Sequence, residues 1–282
     1  MYKRAIDISY CQPNVDFEKV KKSGISTVII RNGYLGKTDT AWYNNVQKAI
    51  DAGFDIGTYT YIWSETREKA VKEAQETIQR LERFKGKINY PVFADIEDEK
   101  YMTSRFNKQT RTEILLSFLK TIERAGYYAA VYINPSWLET YVDKTKLLGR
   151  YDIWLAAWTN SPLMQTKYNY GQTMWQWGKT DVSGISGGAV DSDIVYIDYP
   201  EKIKAAKKNF LPVEKLLSVE LAFDAAIRSA PTVNGKRVGL LTTGTKCVIV
   251  KGTETLDRKT KYTYVQLAGG KEQWIVKSAI RQ

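Results

Sequence analysis

The chain contains no histidine. That absence excludes Ser-His-Asp and Cys-His nucleophilic chemistry and histidine-ligated zinc in one step. Any acid or base must then be a carboxylate or a tyrosine, and neither a metal nor a cofactor is expected. Cysteine is almost as scarce: Cys11 and Cys247 stand near opposite ends, so no disulfide framework is expected. No apolar run of about 18 residues exists, so stable membrane insertion is not expected. The opening residues MYKRAID do not read as a signal peptide, because Asp7 breaks the apolar run. The expectation is synthesis in the cytoplasm, with any outside target reached by a non-standard route. No Gly-x-Gly-x-x-Gly follows the first apolar run, which argues against dinucleotide binding.

What is present is charge, unevenly placed. The 282 residues carry 42 Lys/Arg against 31 Asp/Glu, a net +11. Residues 201–282 hold about 16 of those cations and 7 of the anions, so most of the excess lies there. Such a balance suits an anionic partner such as a wall polymer. No nucleic-acid recognition motif accompanies it, and nucleic acid is not an expected partner.

Residues 90–98, YPVFADIED, are the most informative stretch. An apolar strand ends in two carboxylates two residues apart. Alternation turns Asp95 and Glu97 to one face and Ile96 to the other. Two carboxyls together on a buried strand end repel each other and resist desolvation. One tends to stay protonated while the other ionises, as glycosidic bond hydrolysis requires.

Residues 1–200 alternate apolar strands with amphipathic helices. Strands are predicted at 4–9, 27–33, 55–62, around Asp95, and at 128–134, 152–158 and 173–177, with an eighth near Asp191. Helices are predicted at 15–23, 40–52, 66–84 and 108–125. Repeated βα units with near-continuous apolar strands predict an α/β fold, a modified TIM-like β/α barrel; a doubly wound open sheet is the second choice. Residues 200–212 read as a closing helix and linker, and 201–218 as the link between the two domains. In residues 219–282, short alternating strands separated by glycine turns predict a small all-β barrel.

In such a barrel the functional residues gather where strands finish. Asp7, Arg31, Tyr59, Tyr61, Asp95, Glu97, Tyr132, Trp158, Gln176 and Asp191 all fall at those ends. Acids and aromatics on one rim suit a sugar substrate, since aromatic faces stack on sugar rings. Asp98 and Glu99 read as solvated loop acids, and half of Trp154, Trp158, Trp175 and Trp177 as core.

With these residues in place, the chain resembles the family 25 glycoside hydrolases. The matching segments are AIDIS (5–9), IIRNGY (29–34), GTYTY (57–61), YPVFADIED (90–98), VYIN (131–134), WLAAW (154–158), MWQW (174–177) and VSGISGGAVDSD (182–193). The resemblance implies a modified β/α barrel that binds peptidoglycan glycan strands. It implies cleavage of the β-1,4 bond between N-acetylmuramic acid and N-acetylglucosamine. It places Glu97 as general acid, Asp95 as its companion, and Asp7 and Asp191 as further acids of the cleft. Tyr61 and Tyr132 fall where substrate-contacting aromatics stand; Tyr59, Arg31, Trp158 and Gln176 complete the candidate substrate-binding set. Help from the substrate's 2-acetamido group, positioned by Asp95, and direct action of a carboxylate on water or the sugar both remain open. The chain departs from many relatives at Ser192-Asp193, where an apolar residue and Asn are common, and at Trp177, where Tyr is frequent.

Residues 219–282 resemble bacterial SH3-type wall-binding domains, on Arg228-x-x-Pro231, Gly244-Thr245 and Trp274-Ile275-Val276. This implies a Gram-positive wall polymer or peptide as the partner of the tail. The combined expectation is a phage or prophage endolysin, made in the host cytoplasm and acting on the cell wall after release. The alternatives are a bacterial autolysin of the same activity and a non-catalytic wall-binding barrel.

Overall fold

The computed structural model describes residues 2–97, 104–159, 161–162, 166–186, 188–211, 216–250, 253–268 and 273–281. Asp98 and Glu99, read above as loop acids, lie outside the described residues. The chain divides into two compact units, Met1–Pro212 and Val213–Gln282.

The first unit is a closed ring of eight strands. Strand β1 (Lys3–Ile8) is followed by β2 (Thr27–Tyr34), with β3 (Lys37–Thr38) folded back on β2 as a hairpin outside the ring. Next come β4 (Asp55–Tyr61), β5 (Val92–Asp95), β6 (Ala129–Ile133), β7 (Asp152–Ala156), β8 (Met174–Thr180) and β9 (Val190–Val195). Ring neighbours from β1 to β8 pair in parallel; β9 pairs antiparallel with both β8 and β1 and closes the ring. Closure disposes of the open-sheet alternative, and the reversed β9 makes this a distorted β/α barrel.

Alternation along each strand sorts the side chains into two cores. Ala5, Ile29, Phe93, Ala130, Trp154, Met174 and Val195 fill the interior. Their neighbours Ile6, Val28, Ile30, Ile56, Val92, Val131, Ile153 and Leu155 face the helices. Gly57 is one place where size decides: an added Cβ would lie 2.7 Å from Ile29 Cδ1 and 2.8 Å from Tyr90 Cβ. More of the tryptophans are core than the expected half: Trp154 is buried inside, Trp175 and Trp177 pack outside against Ile194, and only Trp158 of the four is exposed.

Helices α1 (Phe17–Lys22), α2 (Trp42–Asp51), α3 (Arg67–Glu82) and α4 (Lys108–Arg124) cover the first half of the ring. In α3, Ala70, Ala74, Thr77 and Leu81 recur at helical spacing and are buried. The Thr66 hydroxyl caps that helix by accepting from the Lys69 amide at 3.2 Å, a device that contributes about 1 kcal/mol. Between β6 and β7 the cover shrinks to a π turn (Trp137–Tyr141) and a 3₁₀ turn (Lys144–Lys146). Helix α5 (Tyr199–Ala205) follows β9, and its Tyr199 and Ile203 plug the interior at the end opposite the carboxylates.

The second unit corrects the expectation of a small closed SH3-like barrel. Among the described residues its strands form two open sheets. One pairs β10 (Leu216–Glu220) with β13 (Lys246–Val250). The other has the order β12 (Arg237–Leu241), β11 (Ala225–Arg228), β16 (Trp274–Val276), β15 (Thr263–Gln266), β14 (Thr255–Leu256). Strands β12 and β14 remain edges, and the sheets are joined by single bridges, such as Ile249 to Leu267. The strands are short, β11 is bulged at Ile227/Arg228, and β11 and β16 share one residue pair. Alternation and glycine turns report strands and reversals; they do not report whether the first and last strands meet. Leu221, Ala225, Ile249, Val265, Leu267 and Ile275 still form one buried core.

Candidate active site

The inward positions at the C-terminal ends of the parallel strands converge on one small cavity of about 80 Å³. Asp7, Tyr59, Asp95, Glu97, Tyr132, Trp154, Gln176 and Asp191 line it. Register explains the convergence. Asp95 is the last residue of β5 and pairs with Tyr61 on one side and Tyr132 on the other. Glu97 lies two residues past the strand end, and Ile96 between them turns into the outer core. Asp7 pairs directly with Asp191. Because β9 runs the other way, its beginning rather than its end lies at this rim, which brings Asp191 there.

A hydrogen-bond chain orders one wall. Gln176 Nε2 donates to Asp7 Oδ2 at 2.9 Å, while Gln176 Oε1 accepts from the Tyr132 hydroxyl (3.1 Å) and from Trp158 Nε1 (2.9 Å). Trp154 packs edge-on against the Tyr132 ring with centroids 4.5 Å apart. Trp158 itself stands 53% exposed at the rim, and Lys179 Nζ lies 5.4 Å from its ring centre. Lys179 also pairs with Asp191 Oδ1 at 3.7 Å.

The carboxyls hold protons tightly. Asp95 is 2% exposed, and burial first, then the charges of Glu97 and Asp7, push it well above the usual carboxylate range; Arg31 pulls the other way. Asp7 is raised by burial and then by Asp191, with the Gln176 bond opposing. Asp191 is raised by burial and moderated by Lys179. Burial also raises the phenols of Tyr59 and Tyr132, helped by the nearby acids. A proton-rich, partly aromatic cavity is equipped for acid–base work on an uncharged polar substrate.

Of the ten candidate residues, seven line the cavity and Trp158 reaches it through Gln176. Arg31 and Tyr61 stand beside it. Arg31 Nε donates to Asp39 Oδ2 at 2.8 Å, and its guanidinium lies 4.8 and 4.9 Å from the ring centres of Tyr10 and Tyr34. Tyr61 stacks on Trp63 and meets Tyr34 edge-on. Three residues escaped the sequence reading of the site: Trp154, Lys179 and Asp193. Asp193 carried a signal, since Asp191-x-Asp193 repeats the spacing of Asp95-x-Glu97 and alternation puts both acids inside. Among the described residues, no group of three or more acidic or cysteine side chains is arranged to hold a metal, and no helix is long and apolar enough to cross a membrane.

The family model for Glycosyl hydrolases family 25 matches residues 6–186. No curated protein matches the chain. Among solved structures, the modular autolysin LytC from Streptococcus pneumoniae is similar at 28% identity and a TM-score of 0.60, covering 69% of this chain and 47% of its own. The chain thus spans about half the length of LytC. The bacterial lysozyme from Streptomyces coelicolor is similar at 20% identity and TM-score 0.60, over 74% of this chain and 98% of its own. The spore cortex lytic enzyme SleM of Clostridium perfringens is similar at 18% identity and TM-score 0.59, over 98% of this chain and 97% of its own.

Proposed function

The chain belongs to glycosyl hydrolase family 25, and from that membership and the cavity we propose a muramidase that cleaves the β-1,4 bond between N-acetylmuramic acid and N-acetylglucosamine. The observation that carries this reading is the meeting of Asp7, Asp95, Glu97 and Asp191 in one aromatic-walled cavity. Glycosidic cleavage needs a proton delivered to the leaving oxygen and a negative charge facing the developing oxocarbenium ion. Glu97, half-buried beyond the strand end, is placed to deliver the proton. Asp95, deeper and proton-holding, orients the substrate's acetamido group or the attacking water. Asp7, held by the Gln176 amide, and Asp191, paired with Lys179, are the raised carboxyls best supported to carry the facing negative charge. Tyr59, Tyr132 and Trp158 offer faces and edges to the sugar rings.

The bacterial autolysin reading is favoured over the endolysin reading by the 28% identity to an autolysin. Detection of the protein in wall extracts of uninfected growing cells would support it; appearance only after prophage induction would support the endolysin. We further propose that the second unit engages an anionic wall polymer, since residues 213–282 carry twelve Lys/Arg against six Asp/Glu.

The chemistry is tested by mass spectrometry of borohydride-reduced fragments released from purified Gram-positive peptidoglycan. Reduced muramic acid ends are expected, and Glu97→Gln should release none while still binding walls. Reduced glucosamine ends would overturn the bond assignment.

A further inference from the structure

Asp193 lies two residue pairs deeper in the barrel than Asp191. On β9 it pairs with Ala5 of β1 and Gln176 of β8, and it is 1% exposed. Its Oδ1 accepts from Trp154 Nε1 at 2.7 Å. Its Oδ2 is buried, and among the described residues no N–H or hydroxyl donor reaches it. Its acidic neighbour is Asp7, two residues along β1 from its pairing partner Ala5 and on the same inward face, and each carboxyl acts on the other. Two ionised carboxylates have only acceptors between them, so one must carry a proton for that contact to be attractive. Asp7 Oδ2 already has a donor in Gln176. A proton on Asp193 Oδ2 satisfies the orphaned atom and gives Asp7 a second donor.

We propose that Asp193 is a positioning residue for the glycosidase site, keeping a proton on Oδ2 and donating it in a hydrogen bond that holds Asp7 ionised and fixed at the cavity wall. The functional part of this inference rests on the muramidase reading above. The acids facing the pair favour the protonated state, and two cations oppose it. Asp191 adjoins on β9, with Lys179 on β8 paired to it; Asp95 and Glu97 face it from β5 and the residues after it; Tyr59 and Tyr132 stand on β4 and β6. Arg31 on β2 is the other cation, acting on Asp95 and Tyr59 while bonded to Asp39. Burial first and then the Asp7 charge raise the proton affinity of Asp193, against the Trp154 bond. When rising pH strips this proton, two buried anions face each other and Asp7 loses a donor.

Asp193→Asn is the test, because the carboxamide has the shape of the protonated acid. Its Oδ1 can accept from Trp154, and its Nδ2 can donate to Asp7 at every pH. The readout is the pH profile of kcat/KM on soluble glycan fragments. The alkaline limb of the variant should lie at least about one pH unit above the wild type, about tenfold more activity along that limb. An unmoved limb, or a folded variant inactive at every pH, overturns the proposal. A second measurement does not depend on activity: ¹³C carboxyl NMR of the full chain, wild type beside Asp193→Asn. A protonated aspartate signal present at neutral pH in the wild type and missing from the Asp193→Asn spectrum is expected; identical sets of protonated aspartate signals in the two, or aspartates all ionised, overturn the inference. If the wild type releases no reduced muramic acid ends, it is the muramidase reading that fails, whatever the aspartate titration shows.

Discussion

Asp7, Asp95 and Asp193 keep their protons more tightly than free carboxyls do, and Asp257 in the second unit does the reverse. For the first three, burial is the main cause, followed by Asp191 for Asp7, Glu97 for Asp95 and Asp7 for Asp193. For Asp257, desolvation is outweighed by hydrogen bonds from the Thr232 hydroxyl (2.9 Å) and the amides of Lys259 (3.0 Å) and Val233 (3.3 Å), which bring it to about 2. The consequences for stability have opposite signs. Above about pH 4, the unfolded carboxyl range, the folded barrel binds more protons at these sites than its unfolded chain. Their contribution is therefore whole below that range and is lost as pH rises through the folded values. The Asp257 contribution is present above the same range and is lost as pH falls toward about 2. Calorimetry of the full chain should show the barrel transition moving to lower temperature as pH rises from about 5 to about 8. A barrel transition that stays put or rises over that interval would refute the shifts. The instability is concentrated at the carboxyls that line or adjoin the cavity, as expected where proton affinity serves chemistry.

At the scale of elements, the segment after α5 ties the barrel's lower end. Asn209 Nδ2 donates to the carbonyls of Ile88 (3.1 Å) and Tyr90 (2.8 Å), and its Oδ1 accepts from the Tyr128 amide at 2.6 Å. These groups lead into β5 and β6, whose far ends carry Asp95 and Tyr132. The residue is fully buried with φ +58°, a conformation that Asn tolerates better than Ala. Asn209→Ala strands two buried carbonyls and the half-buried Tyr128 amide and should destabilise the barrel by about 3 kcal/mol. Urea unfolding checks this, and a loss under about 1 kcal/mol would mean that water replaces the side chain fully. Such anchoring could not be read from the sequence, because a loop asparagine announces no distant partner. The βα alternation could be read, since each strand keeps an apolar face inside and another under a helix. The direction of β9 was missed although a cue was present: residues 181–189 are too few for the crossover of about a dozen residues that a parallel return needs. The D-x-E pair was legible because two-residue spacing survives any barrel geometry. Asp193 needed the register of β9 against β1 and β8, and the openness of the second unit's sheets needed pairings between strands far apart in sequence.

For the whole molecule, the uneven charge argues a division of labour. The net charge is +11, and twelve Lys/Arg against six Asp/Glu in residues 213–282 supply over half of it from a quarter of the chain. The second unit also holds a groove lined by Leu217, Val219, Ile249 and Tyr262, with Lys261, Lys277 and Arg281 among its walls. Lys277 and Arg281 pair with Glu254 and Glu220, at 3.4 and 2.8 Å. Attraction between exposed lysines and an anionic polymer is screened over about 10 Å at 0.1 M salt. If such a polymer is the partner, full-length Glu97→Gln protein should bind purified walls about tenfold more weakly at 0.5 M than at 0.05 M salt. Walls stripped of anionic polymer should bind weakly at both concentrations. Lys246 and Lys261 are exposed on this unit, so replacing both with Gln in the otherwise native chain should weaken wall binding while leaving kcat on soluble fragments unchanged. Equal binding to stripped and intact walls would instead assign recognition to the glycan itself, and the excess charge would then be a solvated surface without a partner.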